Sequence, residues 1–437
     1  MSTPLQVPAS SLNNRRTINA WALFDWANSS FALVIIVAIF PGYFLAVTDD
    51  VVHIGKNLTV SNDQLYSYAI SAAYLLILIA SPFLSGIADY GGRKKFFLQC
   101  FTTLGSAACF ALYFFRGMDQ LTLGTVAFIL ATVGFAGGLV FYNAYLPLIA
   151  SEDQYDRVSA KGFAYGYIGS VILLIANLVV IQKYEWFGLS GEGPAVRIAF
   201  VMVGMWWIGF AQIPFRRLPP DSNEKSKENL MLKGFQELRK VWRQLQGLSN
   251  AKRFLVAFFF YSTGVQTVLF LAAIFAEKEL GFATSDLILL ILLLQIVAIG
   301  GAYLFAKISD IKGNKFSIII MLIIWTIICG VAYFIYSKSA FYLLAIGVGL
   351  VMGGIQSLSR STYSKLLPEN TPDTTSFFSF YDVLEKGAII VGTFSFGFIG
   401  YLTGSMRMSV LALSVFFIVG LLTMTTVKMK PEKQGNL

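Results

Sequence analysis

The 437-residue sequence predicts an all-α integral membrane protein whose twelve transmembrane helices form two pseudo-symmetric six-helix halves. Three observations predict it. Hydrophobic residues make up 56% of the chain and charged residues 13%, with a mean hydropathy of +0.67, a balance foreign to soluble domains. Apolar windows of about 20 residues, the length a bilayer core requires, recur along nearly the whole chain. One long polar segment divides them six and six, and short stretches before it reappear after it in the same order.

In chain order the windows centre near residues 33, 76, 105, 134, 171 and 205, then 264, 297, 326, 353, 389 and 417. The first, "WALFDWANSSFALVIIVAIFPGYF" (21–44), is too long for the apolar region of a cleavable signal peptide and is expected to remain as span 1, with Asp25 a turn or so inside its start. The loop after it, 48–63, is neutral or acidic. It carries His53, the only histidine, expected to be solvated, and an unspecific "NLT" glycosylation sequon at 57–59. Positive charge collects in alternate loops: Arg15 and Arg16 before span 1, Arg93, Lys94 and Lys95 after span 2, and Lys307, Lys312 and Lys315 around the link between spans 8 and 9. The positive-inside rule then places both termini in the cytoplasm of a multi-pass protein of the cell (cytoplasmic or inner) membrane. The same alternation accounts for the net charge of +9 without a nucleic-acid partner. Cys100, Cys109 and Cys329 fall inside spans 3 and 9, where no disulfide framework is expected.

Between spans 6 and 7 the segment Arg216 to Arg253 holds ten Lys/Arg against four Asp/Glu. The expected organisation is therefore an N-terminal half at 1–215, a basic cytoplasmic linker at 216–253 and a C-terminal half at 254–437. The linker begins with the breaker-rich "RRLPPDSNEKSKEN", expected to be mobile. Met231, Phe235, Leu238, Trp242 and Leu245 then recur at spacings of 4, 3, 4 and 3, predicting an amphipathic helix that lies either on the membrane surface or on the protein's own loops.

Two pairs of stretches link the halves. "SGIADYGGRKK" (85–95) after span 2 matches "AKISDIKGNK" (306–315) after span 8, aligning Asp89 with Asp310 and Gly92 with Gly313. "AGGLVFYNAYLPLI" (136–149) in span 4 matches "MGGIQSLSRSTYSKLLP" (352–368) in span 10. The offsets are 221 and 216 residues, the layout of a secondary transporter built from repeats around a site near the bilayer midplane.

Charges inside the spans are the candidates for chemistry, because each costs at least about 2.5–3.5 kcal/mol in hydrocarbon unless it has a partner or a task. Asp25, Asn28 and Ser29 lie at i, i+3 and i+4 on span 1, and the position equivalent to Asp25 in span 7 is Phe260. The carboxylate is either a substrate or proton partner, or a shallow cap near water. Span 10 offers Gln356 and Arg360, with Gly349, Gly353 and Gly354 to admit a neighbouring helix. Arg360 suits bidentate recognition of a carboxylate; alternatively it braces spans 10 and 11 by pairing with Asp382 or Glu385, which stand beside Lys386 on span 11. Asn143 and Tyr145, in the span 4 member of the second pair, complete the candidates for substrate or proton coupling. Asp89, Gly92, Arg93, Asp310, Gly313 and Lys315 are the candidates for gating, with Arg93 and Lys315 the expected partners of the two carboxylates. Gly162, Gly166, Gly169 and Ser170 in span 5 read as helix packing rather than a phosphate loop.

The motif at Ser85–Lys95 resembles the signature between spans 2 and 3 of the major facilitator superfamily, departing from it at Ser85, at Tyr90 and, in the second copy, at Asn314 where a basic residue is usual. With "YNAYLPLIASEDQYDRVSAKGFAYGYIGS" (142–170) and "GGIQSLSRSTYSKLLPENTPDTTSFFSFYDVLEKG" (353–387), the chain is similar to the vacuole-effluxer-like branch of that superfamily, which includes bacterial members and fungal vacuolar amino-acid exporters. The resemblance implies the major-facilitator fold, a latching role for Asp89, Gly92 and Arg93, and amino acids as the cargo class. No Cys/His metal cluster, nucleotide fingerprint or catalytic dyad outside the spans points to an enzyme, a cofactor or an ATP-driven pump. The expectation is a monomeric alternating-access exporter, whose partners are a small polar solute, protons and the lipid bilayer. A peptide, sugar-derivative or lysolipid cargo, or a non-transporting scaffold, remain the alternatives.

Overall fold

A computed structural model describes residues 12–54, 58–221, 230–369 and 371–429. Among them are twelve helices long and apolar enough to cross a bilayer. Spans 1 to 6 are Arg15–Val47, Asn62–Tyr90, Lys94–Leu112, Met118–Asn143, Glu152–Gln182 and Glu192–Arg217; spans 7 to 12 are Ser249–Leu280, Ser285–Lys312, Asn314–Tyr333, Lys338–Leu366, Thr374–Thr403 and Met406–Thr425. The sequon's Asn57 and residues 222–229 of the breaker-rich linker start lie outside the described residues.

Span 1 starts at Arg15, ahead of the apolar run at Trp21, so Asp25 stands ten residues, about 15 Å, along the helix and one turn into that run. Within the span, Ala32–Ile39 winds as a π-helix. Pro41 follows and has no N–H to return to the carbonyl of Val37, and the wider turn re-spaces the neighbouring carbonyls. One of them, that of Ile36, accepts the Tyr66 hydroxyl at 2.9 Å. The loop after span 1 is a short antiparallel hairpin, β1 Val51–Ile54 and β2 Leu58–Ser61, with Val52 opposite Val60 and both buried. His53 is exposed there, its Nδ1 3.1 Å from the Thr59 hydroxyl. The three cysteines are free.

The described residues form two compact units. One holds Arg15–Asn143 and Tyr165–Phe235; the other holds Ala144–Ala164 and Gln236 onward, with the residues before Arg15. In the first unit small residues set the helix spacing: a Cβ on Gly134 would collide with the backbone of Gly105, and one on Gly169 with the carbonyl of Trp26. Gly166 meets Ser29 in the same way, so Gly166 and Gly169 of span 5 serve packing. In the second unit span 10 leans on spans 8 and 9 through Gly349, Gly353 and Gly354, where side chains would strike the Leu294 and Ala298 carbonyls and the Phe305 ring.

The linker helix, Leu230–Gly247, has its first residues in one unit and those from Gln236 in the other. Gly234 packs against the backbone of Gly86, and Lys233 lies 5.9 Å from the Tyr90 ring centre. Further along, Val241 and Leu245 are buried, Trp242 meets Phe380 with ring centres 5.4 Å apart, and Lys240 bonds Asp373 at 2.8 Å and also Glu237. Burial pushes the Asp373 carboxyl above its ordinary pKa against the pull of Lys240. Burial works to lower the Lys240 ammonium, but its bonds to Asp373 and Glu237 outweigh that and hold it raised. The apolar stripe read from the sequence thus splits. Leu245 faces the protein with Leu238 half-buried, whereas Phe235 and Trp242 remain exposed; the Met231 side chain lies outside the described residues.

Neighbouring glycines of span 8 separate packing from propensity. A Cβ on Gly301 would strike the Leu350 carbonyl of span 10, while one on Gly300 meets nothing. Gly301→Ala is expected to cost about 1–3 kcal/mol and lower the melting temperature of the purified protein by several degrees. Gly300→Ala should leave it unchanged or raise it, since alanine is the better helix former by about 1 kcal/mol.

Candidate functional site

In the first unit Asp25 is 3% exposed, and the Tyr142 hydroxyl donates to its Oδ2 at 2.8 Å. Aromatic rings fix that tyrosine. Trp21 stacks on it at 4.5 Å, Phe24 at 4.9 Å, and the Trp21 indole donates to the Tyr142 carbonyl at 3.0 Å. The i, i+3, i+4 spacing of Trp21, Phe24 and Asp25 on one helix face is what brings all three to Tyr142. One turn on, Asn28 is fully buried, and neither atom of its amide has a partner among the described residues. Such an amide is a place for a polar guest, because an unpaired buried donor and acceptor are each costly. Ser29 is half-buried against span 5.

In the second unit Arg360 is 2% exposed. Its Nε donates to the Ser159 hydroxyl and its Nη2 to the Ser159 carbonyl, both at 2.9 Å, and its guanidinium lies 4.3 Å from the Phe163 ring centre. The Ser159 hydroxyl in turn donates to the Ser357 carbonyl at 2.7 Å, tying the arginine's own helix to residues 144–164. Gln356 is half-buried a turn away.

On span 11 the cation facing the carboxylates is Lys386: its Nζ lies 3.3 Å from Asp382 Oδ1 and 2.8 Å from Glu385 Oε2. Gln266 of span 7 donates to Glu385 Oε1 at 3.2 Å. Asp382 is buried, and its Oδ2 has no hydrogen-bond partner among the described residues. A carboxyl held this way has room for a proton on the vacant oxygen while Lys386 steadies the other.

The repeated loop motif performs two different jobs. Gly92 has φ +58° and Gly313 φ +84°, so both copies need glycine to turn the chain. In the first copy Asp89 pairs with Lys94 at 3.2 Å, with its side chain fully buried, while Arg93 is exposed. In the second copy Asp310 accepts from Arg157 at 2.8 Å, and Lys315 donates to the Thr425 carbonyl at 2.6 Å. Lys94 and Arg157 therefore stand in the places expected of Arg93 and Lys315. Asn314, where the signature has a basic residue, is buried and donates to Asp156 Oδ1 at 2.7 Å and Thr362 Oγ1 at 3.0 Å. Asp156 Oδ2 accepts from Ser309 at 2.7 Å and from Lys365 at 2.8 Å, and Lys365 also donates to Asn314 Oδ1 at 2.7 Å. A closed polar network thus joins the first turn of span 5 to the C-terminal ends of spans 8 and 10 and the N-terminal end of span 9. A second cation at 314 would crowd Lys365, which accounts for the departure.

The family model of vacuole effluxer Atg22-like proteins matches residues 13–436. The chain belongs to that family. It is 30% identical over 422 residues to the uncharacterized MFS-type transporter YxiO of Bacillus subtilis (strain 168), covering 96% of this chain and 95% of the relative. It is 26% identical over 400 residues to autophagy-related protein 22 of Kluyveromyces lactis, covering 83% and 79%. Among solved structures it is similar to the Escherichia coli fucose:proton symporter FucP, with a TM-score of 0.67 at 14% identity over 95% of this chain and 98% of that one. The human organic anion transporter MFSD10 matches with a TM-score of 0.69 at 10% identity over 94% and 99%. These matches show the major facilitator fold expected from the motifs, and the protein is an MFS-type transporter.

Within this Atg22-like chain, the candidate residues fall into separate groups: Asp25, Asn28 and Ser29 in one unit; Gln356 and Arg360, with Asp382 and Glu385, in the other. Asn143 is the last residue of span 4, and Tyr145, buried, opens the short helix Leu146–Ile149. Sequence reasoning missed Tyr142, Ser159, Asp156 and Lys365. The signal for Asp156 was present: a carboxylate opening span 5.

Lys365 and Asp156 are 8% and 2% exposed at their side chains, so removing one partner strands the other. Lys365→Met alone is expected to destabilise the detergent-solubilised protein by about 3–5 kcal/mol. Lys365→Met combined with Asp156→Asn should melt closer to wild type than Lys365→Met does. A double variant that melts lower than the single would remove the ion pair from the account.

Proposed function

We propose that this transporter is an alternating-access exporter of amino acids, coupled to protons through Asp382. The observation that carries the coupling is the unpartnered Oδ2 of a buried carboxyl whose other oxygen meets Lys386. Protonation there removes a buried charge and frees Lys386 to move wholly to Glu385, so proton gain and loss change the ion pairing between neighbouring turns of one span. In the first unit Asp25 with its Tyr142 donor supplies an anionic site for a ligand ammonium, and Asn28 a neutral donor and acceptor. Support for export comes from the family's description as vacuole effluxers. Both termini and the linker are placed on the cytoplasmic side by the loop charges, and the Asp156 network acts as the latch of that side. The protein works as a monomer.

One observation favours a second cargo. The C-terminal six-helix half contains an apolar cavity of about 580 Å³, including its open mouth, lined by Leu271, Phe275, Leu294, Phe341, Phe396 and Leu413 among others. Its one hydroxyl, that of Thr267, donates to the Thr263 carbonyl. Such a surface fits an acyl chain, as a lysolipid cargo would supply, and not a zwitterion.

The two readings separate in liposomes. With Asp382→Asn, counterflow of a labelled amino-acid mixture should persist while uptake driven by an imposed pH gradient falls at least tenfold. Asp25→Asn should reduce both. Absence of amino-acid counterflow in the wild type, together with counterflow of a labelled lysolipid, would decide for the second cargo.

A further inference from the structure

The exposed face of the linker helix is not absorbed by any role in transport. At 100° per residue, Leu232, Phe235, Arg239, Trp242 and Arg243 fall within an arc of about 100°. Leu232 and Phe235 are each 58% exposed and Trp242 49%, although Gly234, Val241 and Leu245 on the opposite side of the helix are buried. Arg239 and Arg243 are exposed among them. The helix has one acidic residue, Glu237, which lies away from this arc and is taken up by Lys240. Gly234 packs against Gly86, near the end of span 2, and Gly247 stands two residues ahead of Ser249, where span 7 begins.

We propose that Leu232, Phe235, Arg239, Trp242 and Arg243 form a docking surface for the anionic phospholipid headgroups of the leaflet on the linker side. Charge complementarity selects this occupant. Apolar side chains with guanidiniums between them and no carboxylate match the boundary where acyl chains meet phosphate. Arginine stems can run along the apolar layer with their heads at the phosphates, and an aromatic such as Trp242 favours that depth. The long axis of the helix then lies along the interface.

Collision accessibility of nitroxide labels tests this in the full-length protein with Cys100, Cys109 and Cys329 replaced by Ala. Labels are placed by Phe235→Cys and Trp242→Cys, with Gln244→Cys, exposed on another face, as the aqueous reference. The protein is reconstituted into liposomes of phosphatidylcholine alone or with one quarter phosphatidylglycerol. In the anionic liposomes, labels at 235 and 242 should collide with oxygen freely and with a neutral nickel chelate at least threefold less than the label at 244. Adding Arg239→Gln and Arg243→Gln should erase the difference between the two lipid compositions, each arginine contributing roughly a fivefold preference. Nickel collisions equal at all three positions overturn the proposal in favour of an aqueous face. Protection from oxygen and nickel alike overturns it in favour of a protein contact, and protection independent of phosphatidylglycerol removes the anionic lipid from it.

Discussion

A chain that crosses a bilayer twelve times can keep a charge in its interior only where another group of the same protein meets it. Each buried ion in this transporter follows that constraint, and its functional anatomy is the set of solutions. Asp25 is met by a tyrosine that two residues of its own helix, Trp21 and Phe24, hold in place. Arg360 is met by a serine hydroxyl and carbonyl and by an aromatic face. Asp156 is met by a lysine, an asparagine and a serine from three other helices. Asp382 is met by Lys386 at one oxygen, while the other faces no donor among the described residues.

The constraint also separates the two copies of the loop motif. Both retain the aspartate and the positive-φ glycine, because the turn needs them whatever the loop then holds. Their surroundings have diverged. Asp89 turns to the lysine that starts the next helix, whereas Asp310 and Asn314 belong to a network centred on residues 156 and 365, which only close packing of span 5's first turn against spans 8 to 10 can supply. Repetition in sequence thus marks a shared backbone geometry and not a shared set of partners.

Much of the fold was legible because it is written in runs and composition: the spans follow from hydropathy, and the family from motifs of ten to thirty residues. Asp25 and Asp382 were legible as candidates because a carboxylate stands out in an oily run. Their partners were not. Tyr142 comes from 117 residues away, and the bonds of Asp156 span 153 to 209 positions, separations at which spacing carries no information. Arg360 shows the same limit from the other side: its neighbours in sequence offered carboxylates, while Ser159 and Phe163 come from another helix altogether. The linker stripe was read as one surface, although the helix divides it between a buried side and an exposed one.

The central claim is that moving cargo moves a proton on a carboxyl of span 11. The most direct measurement loads sealed proteoliposomes with the pH dye pyranine, imposes no gradient, and adds an amino-acid mixture outside. The account predicts a change in lumenal pH that begins on addition, saturates with amino-acid concentration and is absent with Asp382→Asn. Labelled amino acids that accumulate while lumenal pH stays constant, or a pH change that persists in the Asp382→Asn protein, would contradict it.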